Sequence, residues 1–458
     1  MKGPFLTRVH FPAKIILSTV FIALLVSCSS KSISNDGPRS GRTVLLFLVD
    51  GLPLKTLQTE LGRGSLPQMR QYFLEDSRQM YIARTTFPSL TYPAISALLT
   101  EKPIDHTGIF GNQITDGARI VNFESPGNRP RLNDMIKDRN IFSRLGQIGF
   151  KTVSLDYAFQ ANASKAVNST DIQAALDILN KHYFSVDQGL IQTLKSILSE
   201  NDPKNWPDFI FVHLVGVDFT SHDLGPNSKE VKEYLRLLDS ELASVFRVLT
   251  DAEVQKQRQI VTLLTADHGF DQDISSYFNL QEFVRHEDRG IQILNEGRYL
   301  GLKYPSYWSS EQKGAFINKI MQLSEMDIAA YREDENFFIQ SKIQGTKVRY
   351  IPATCAESSF AISVMSQSPT CPENLGGSLN QLFYPFFISN LSYYFQSPGH
   401  PDAILLPRPG VSLKRGYKGQ HGGPTSNEIY IPLLMRGSRL ENLQRIPALW
   451  EVLRFMGR

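Results

Sequence analysis

The chain has 458 residues, room for roughly three domains of about 150 residues or for one large α/β domain with an insertion. Hydrophobic residues make up 41% and charged residues 20%, which excludes a largely disordered, collagen-like, coiled-coil or multi-span chain. The formal charge of +3 comes from 48 Lys and Arg against 45 Asp and Glu. Lys2, Arg8 and Lys14 precede Cys28 in a stretch with no acid, so the remainder is balanced and has no bulk attraction for nucleic acid or an anionic membrane surface.

In chain order, those three cations lead into the apolar run Ile15–Val26, the charged and apolar regions of a secretory signal. The run is too short for a hydrocarbon core that takes roughly 20 residues. Leu25-Val26-Ser27-Cys28 resembles the lipobox of bacterial lipoproteins. The expected product is an exported lipoprotein of the cell envelope, anchored through acyl chains on Cys28, with Ser29 at the next position resembling proteins sent to the outer membrane. Residues 28–41, rich in Ser, Gly and Asn, read as a tether. The remaining cysteines, Cys355 and Cys371, suggest one disulfide in an oxidising compartment, against the alternative of two free thiols.

Short apolar runs then alternate with helical stretches. Thr43–Val49, Phe209–Val217, Ile260–Thr265 and, more weakly, Lys151–Leu155 read as strands, and Leu132–Ile148, Asp171–Lys181 and Ser228–Leu249 as helices. This alternation predicts a doubly wound, mostly parallel α/β sheet, with functional residues at the carboxyl ends of strands. The expected core spans 42–271 and resumes over 417–458. Between them, 272–416 reads as an inserted cap, with a helix over Ser309–Leu323 and a hairpin over Asp327–Tyr331 and Phe337–Val348. Asp402–Leu406 and Ile429–Leu434 are expected to return to the core.

Asp50, Asp218, His222, Asp267, His268 and His421 close or follow these runs. Each alone is more often a cap, turn or core residue than a ligand. Together, mixed imidazoles and carboxylates are enough donors for two adjacent divalent ions, zinc first and manganese or iron as alternatives. His213, inside an expected strand, reads as a core histidine. Lys414, Arg415 and Lys418 read as solvated surface, too weak a signal for a phosphate clamp.

Five ordered motifs resemble the alkaline phosphatase superfamily, in its nucleotide pyrophosphatase and type I phosphodiesterase branch. They are Asp50-Gly51, Thr91-Tyr92-Pro93-Ala94, Asp218 to Pro226, Thr265 to Gly269, and Gly419 to Gly422, with Gly108-Ile109 and Asn112 at the family's offsets from Thr91. Thr86-Phe87-Pro88-Ser89 is a rival for the nucleophile motif, but register favours Thr91. Ala94 and Leu224 depart from the pattern. Val212–Asp239 also looks like the matching part of phosphoethanolamine transferases.

The resemblance implies an alkaline-phosphatase-like fold and a hydrolase of phosphodiesters or pyrophosphates working through a phospho-threonine. One ion would be held by Asp50, Thr91, Asp267 and His268, the other by Asp218, His222 and His421. Asn112 and the Tyr92 N–H would bind a phosphoryl oxygen. Thr91 also reads as a helix N-cap, Tyr92 as buried or stacked on substrate, and His106 as surface. The implied substrates are nucleotides, other small phosphodiesters or lipid head groups, with no sequence-specific nucleic acid binding. A phosphoethanolamine-type transferase, a phosphomonoesterase and an inactive binding lipoprotein are the alternatives.

Overall fold

A computed structural model describes residues 41–456 apart from 76–78, 117–118, 137, 157, 167–171, 334–335, 343–345, 351–383 and 438–444. The expected signal sequence, Cys28 and the Cys355–Cys371 pairing lie outside the described residues. Among the described residues no helix is long and apolar enough to cross a membrane.

The continuous apolar run after Gly41 forms the strand Arg42–Val49, buried on both faces, as such runs require. It lies at the centre of a seven-stranded sheet. The order is Tyr81–Arg84, Tyr430–Arg436, Gln259–Thr265, Arg42–Val49, Phe209–Leu214, Thr152–Leu155, Lys165–Ala166. The central pairings are parallel, and Tyr430–Arg436 runs antiparallel to both its neighbours. Leu48 pairs with Thr265 and Val49 with Leu214, so three neighbouring strands end at one level. That alignment collects the residues following each strand along one edge.

Helices cover the sheet. The longest, Lys229–Val254, starts where the Ser228 side chain accepts a hydrogen bond from the Val231 N–H, and buries Val231, Leu235, Leu238, Leu242, Val245 and Leu249 at helical spacing. It runs past the expected end at Leu249. Leu132–Ile148, expected as one helix, is two short ones, Arg129–Met135 and Ile141–Gln147, the second restarted by an Asn140 cap.

Residues after Asp273 build a second, antiparallel sheet in the order Gln292–Asn295, Leu300–Lys303, Ala403–Pro407, Met326–Glu333, Asn336–Ser341, Thr346–Tyr350. This corrects the expectation for Asp402–Leu406. The strand pairs here, between Leu300–Lys303 and Met326–Glu333, rather than in the main sheet. Its alternate side chains explain the misreading. Ala403 and Leu405 join a small core with Phe316 and Ile317 of the helix Ser310–Met321, while Ile404 and Leu406 belong to the main core. Burial on both faces makes it read like a central strand of the main sheet. Ile429–Leu434, by contrast, does return, as Tyr430–Arg436.

Candidate active site

The first group of candidate residues grows from strand ends. Asp50 follows Val49, and its N–H donates to the Leu214 carbonyl at 2.8 Å. Asp267 follows the strand ending at Thr265, and its Oδ1 accepts from the N–H groups of Gly51 and His268, each at 3.0 Å. Gly51 makes this approach with a positive φ of 62°. His268 turns Nδ1 to the Gly269 carbonyl at 3.0 Å. Its Nε2 stands 3.3 Å from Asp50 Oδ1, 3.3 Å from Asp267 Oδ2 and 3.3 Å from Thr91 Oγ1.

Asp218 and His222 are placed differently from expectation. The strand stops at Leu214 rather than Val217, and both residues lie on the helix Gly216–Leu224, one turn apart. The buried Asp187 carboxylate accepts from the N–H groups of Val215 and Gly216 at 2.8 and 3.1 Å, satisfying donors that a helix start exposes. Asp218 Oδ2 lies 3.5 Å from His222 Nε2, and its Oδ1 lies 3.5 Å from His421 Nε2. The two Nε2 atoms are 3.1 Å apart. His222 Nδ1 faces the Gly419 carbonyl at 2.9 Å, and His421 Nδ1 the Ser89 carbonyl at 3.0 Å. The groups adjoin, since Asp218, His268 and His421 also bring ligand atoms within 4.8 Å of one another.

A carbonyl only accepts, so each of the three Nδ1 atoms donates, and in the neutral ring Nε2 is then a lone pair. Three lone pairs thus converge with Asp50 Oδ1, Asp218 Oδ1 and Asp267 Oδ2, buried oxygens with no hydrogen-bond partner. Acceptors facing acceptors need a cation between them, and this donor set fits divalent metal. Without a dication, protons take that place, and His268 is then charged rather than a neutral acceptor. Burial and the neighbouring Asp50 charge push Asp267 up to about 7 and raise Asp218 well above its ordinary value. His268 is pushed up to about 10, because Asp267 and Asp50 outweigh the burial that disfavours its charge. Burial and the His268 charge bring His222 down to about 4 and lower His421. Buried carboxylates that gather protons in this way release them to a bound dication.

Thr91 opens the helix Thr91–Thr100, but as its first helical residue. Leu90 occupies the N-cap position, which corrects the N-cap reading of Thr91. Thr91 lines a cavity of about 500 Å³ shared with Asp50, Asn112, Asp218, His222 and His421. Thr86 is buried with its hydroxyl on the Pro88 carbonyl and does not line this cavity. Tyr92 lines it while donating its own hydroxyl to the Phe123 carbonyl at 2.9 Å, so it is both packed and presented. His106 is exposed beside Asp105 and Asp138, away from the cavity. Asn112 is already engaged. Its Oδ1 accepts from the Tyr92 N–H at 3.2 Å and its Nδ2 donates to Glu124 Oε1 at 3.3 Å.

Several cavity residues escaped the sequence reading. Lys414, expected at the surface, lines the cavity, and Glu124 and Glu296 raise its pKa against the effect of burial. Burial pushes Glu296 itself up to about 8. Arg129 also lines the wall. His213, expected as a core histidine, is indeed buried, but between two carboxylates. No motif spacing ties any of these to the ligands.

A family model described as type I phosphodiesterase / nucleotide pyrophosphatase matches residues 44–428. A stretch of 62 residues is 44% identical to the alkaline phosphatase PafA of Elizabethkingia meningoseptica, spanning 14% of this chain and only 11% of that relative. Among solved structures, phosphonoacetate hydrolase of Sinorhizobium meliloti 1021, in complex with phosphonoformate, superposes with a TM-score of 0.58 at 12% identity, covering 91% of this chain and 95% of its own. An inactive Thr-to-Ala form of murine ectonucleotide pyrophosphatase / phosphodiesterase 5, in complex with AMP, gives a TM-score of 0.58 at 13% identity, with coverage of 91% and 94%. At these identities the two structures share the fold.

Proposed function

We propose, from the premise that this chain belongs to the type I phosphodiesterase / nucleotide pyrophosphatase family and is a hydrolase of the alkaline phosphatase superfamily, that it cleaves a phosphodiester or pyrophosphate with Thr91 as nucleophile. The observation that carries this reading is the Thr91 hydroxyl, on a residue that lines the cavity and 3.3 Å from His268 Nε2, where the two candidate ligand groups adjoin. Asp50, Thr91, Asp267 and His268 would hold one divalent ion, and Asp218, His222 and His421 another, with zinc the first choice and manganese or iron the alternatives. Such ions lower the pKa of a coordinated hydroxyl or water and offset charge on the attacking and leaving oxygens.

Thr91 Oγ1, its proton lost to water, forms the bond to phosphorus as the alcohol or phosphate on the far side leaves with its bonding electrons and takes up a proton from water. Water then attacks the phospho-threonine, restoring the hydroxyl and releasing the second product. A phosphoryl oxygen would replace Asn112 Oδ1 as acceptor of the Tyr92 N–H, with the Asn112 amide turned to donate to it. Lys414, whose charge Glu124 favours against the effect of burial, draws the anion into the cavity. The AMP and phosphonoformate bound by the two structural relatives support a small phosphate- or phosphonate-bearing substrate. Export and lipid attachment at Cys28 belong to the same proposal and rest on the sequence before Gly41.

Lys414 and Arg129 favour one second reading, a phosphomonoesterase, because a dianionic phosphoryl group needs more positive donors than a diester. Turnover of bis-p-nitrophenyl phosphate against p-nitrophenyl phosphate separates the two. Metal per chain is measured on the same samples, beside Thr91→Ala and Thr86→Ala. Diester turnover lost in Thr91→Ala and kept in Thr86→Ala is the expected result. Preference for the monoester selects the second reading, and full activity in Thr91→Ala refutes the nucleophile.

A further inference from the structure

His213 lies on the strand Phe209–Leu214, in register with Leu48 of the neighbouring strand and beside the end that carries Asp50. Only 6% of its side chain is exposed. Its Nε2 is 2.9 Å from Asp50 Oδ2, and its Nδ1 is 2.8 Å from Asp156 Oδ1. Both partners are carboxylates, so the ring donates from both nitrogens. Asp156, which follows the strand Thr152–Leu155, is itself fixed. Its Oδ2 accepts from the N–H groups of Ala158, at 3.1 Å, and of Phe159.

These contacts join the ends of three adjacent strands in one line, Asp156 to His213 to Asp50. They divide the two oxygens of Asp50. Oδ2 is taken by His213, and Oδ1 faces His268 and Asp267 without a hydrogen-bond partner. We infer that His213 is a positioning residue, one that clamps Asp50 Oδ2 so that Oδ1 alone is presented to a cation shared with Asp267 and His268, with Asp156 setting the orientation of the clamp. A histidine that merely filled the core would need no such pairing. An apolar side chain of the same volume would leave Asp50 Oδ2 and Asp156 Oδ1 buried without these donors, an arrangement that costs stability and frees Asp50 to rotate.

The inference rests on the reading of Asp50, Asp267 and His268 as metal ligands. The test uses the full chain, stripped of metal and titrated with cobalt(II) against a competing chelator. Bound cobalt per chain and its visible ligand-field spectrum are followed together with thermal unfolding of the metal-free protein. Two variants split the clamp. In His213→Gln the amide nitrogen reaches the position of Nε2 and can still donate to Asp50. In His213→Asn it reaches the position of Nδ1 and serves Asp156 alone.

His213→Gln is expected to keep both ions within about threefold of the wild-type affinity. His213→Asn should weaken one ion by roughly 10- to 100-fold, with a changed spectrum for that ion, and leave the other. Equal behaviour of Gln and Asn, or equal loss of both ions in Asn, overturns the inference and assigns His213 a purely structural role. Should either variant fail to fold, Asp156→Asn carries the same test, with a few-fold weakening confined to one ion expected and no change overturning it. A wild-type protein that binds no cobalt refutes the metal-site reading itself, a failure visible before any substitution is made.

Discussion

Asp50, Asp267 and His268 extend directly from strands whose register sets their level, and every atom not turned to the centre is already committed. Asp50 Oδ2 is held by His213, and Asp267 Oδ1 by two backbone N–H groups. Asp218 and His222 ride on a helix face, and His421 on a loop tied to Ser89. The Asp267 and His268 side chains are at 0% exposure and those of Asp218 and His222 at 13% and 17%, while Asp50 and His421 stand equal at 7%. The strand-borne half is fixed by the same hydrogen bonds that make the sheet. The helix-borne half depends on packing between separate segments. On the proposed mechanism, the rigid half meets the nucleophile and the more accessible half meets groups that arrive and depart.

The largest expected effect sharpens that contrast. On the proposed mechanism, Asp267→Ala removes a metal-holding carboxylate together with the acceptor of two buried N–H groups, and should lower turnover by more than roughly 100-fold with loss of bound metal, while His222→Ala should cost roughly 10-fold and regain activity at high metal concentration. Turnover against added metal for both variants checks this, and equal losses would break the comparison.

Gly51 and Gly416 compare the backbone of the two halves. A Cβ at Gly51 would lie 2.6 Å from Phe270 and 2.9 Å from Asp218, at a φ of +62°, whereas one at Gly416 would meet nothing within 4 Å. Gly51→Ala should therefore destabilise by about 1–3 kcal/mol or more, and Gly416→Ala, strained by its positive φ alone, by less. Denaturant midpoints decide the order.

Lys414→Met should raise KM about tenfold with a smaller change in kcat, if the lysine draws the anion in rather than acting on the reacting atoms. Steady-state kinetics on the diester measure the split.

The smallest effect concerns Glu296, pushed up by burial to about 8 from an ordinary value of 4.5. Across that interval the folded protein holds a proton that the unfolded chain has released. Stability from this group is therefore full below about pH 4.5 and declines as pH rises toward 8. Glu296→Gln should flatten the decline, shifting the dependence of Tm on pH by a few degrees at most.

Much of this was legible from local signals. The runs before Asp50 and through Thr265 are short, apolar and β-branched, and form strands as read. Motif order pointed to Asp50, Thr91, Asn112, Asp218, His222 and His421, which line one cavity, and to the buried Asp267 and His268, which group with Asp50. Errors arose where a local pattern had two structural solutions. Val215 to Val217 continue an apolar run, yet the chain turns into a helix because Asp187, far off in sequence, accepts the N–H groups of Val215 and Gly216. Ala403–Pro407 is buried on both faces in either sheet, so hydrophobicity could not choose between them.

Residue chemistry and neighbours a few positions away suffice for the central strands, the candidate donor types and the order in which they occur. Tertiary structure alone decided which oxygen of each carboxylate is free, that His213 stands between Asp50 and Asp156, and that Lys414 faces the cavity beside Glu124 and Glu296. Those facts are distances between residues up to a few hundred positions apart, set by strand register and by the placement of the second sheet. A bond such as Ser89 to Gly422 closes only once the fold has brought its partners together.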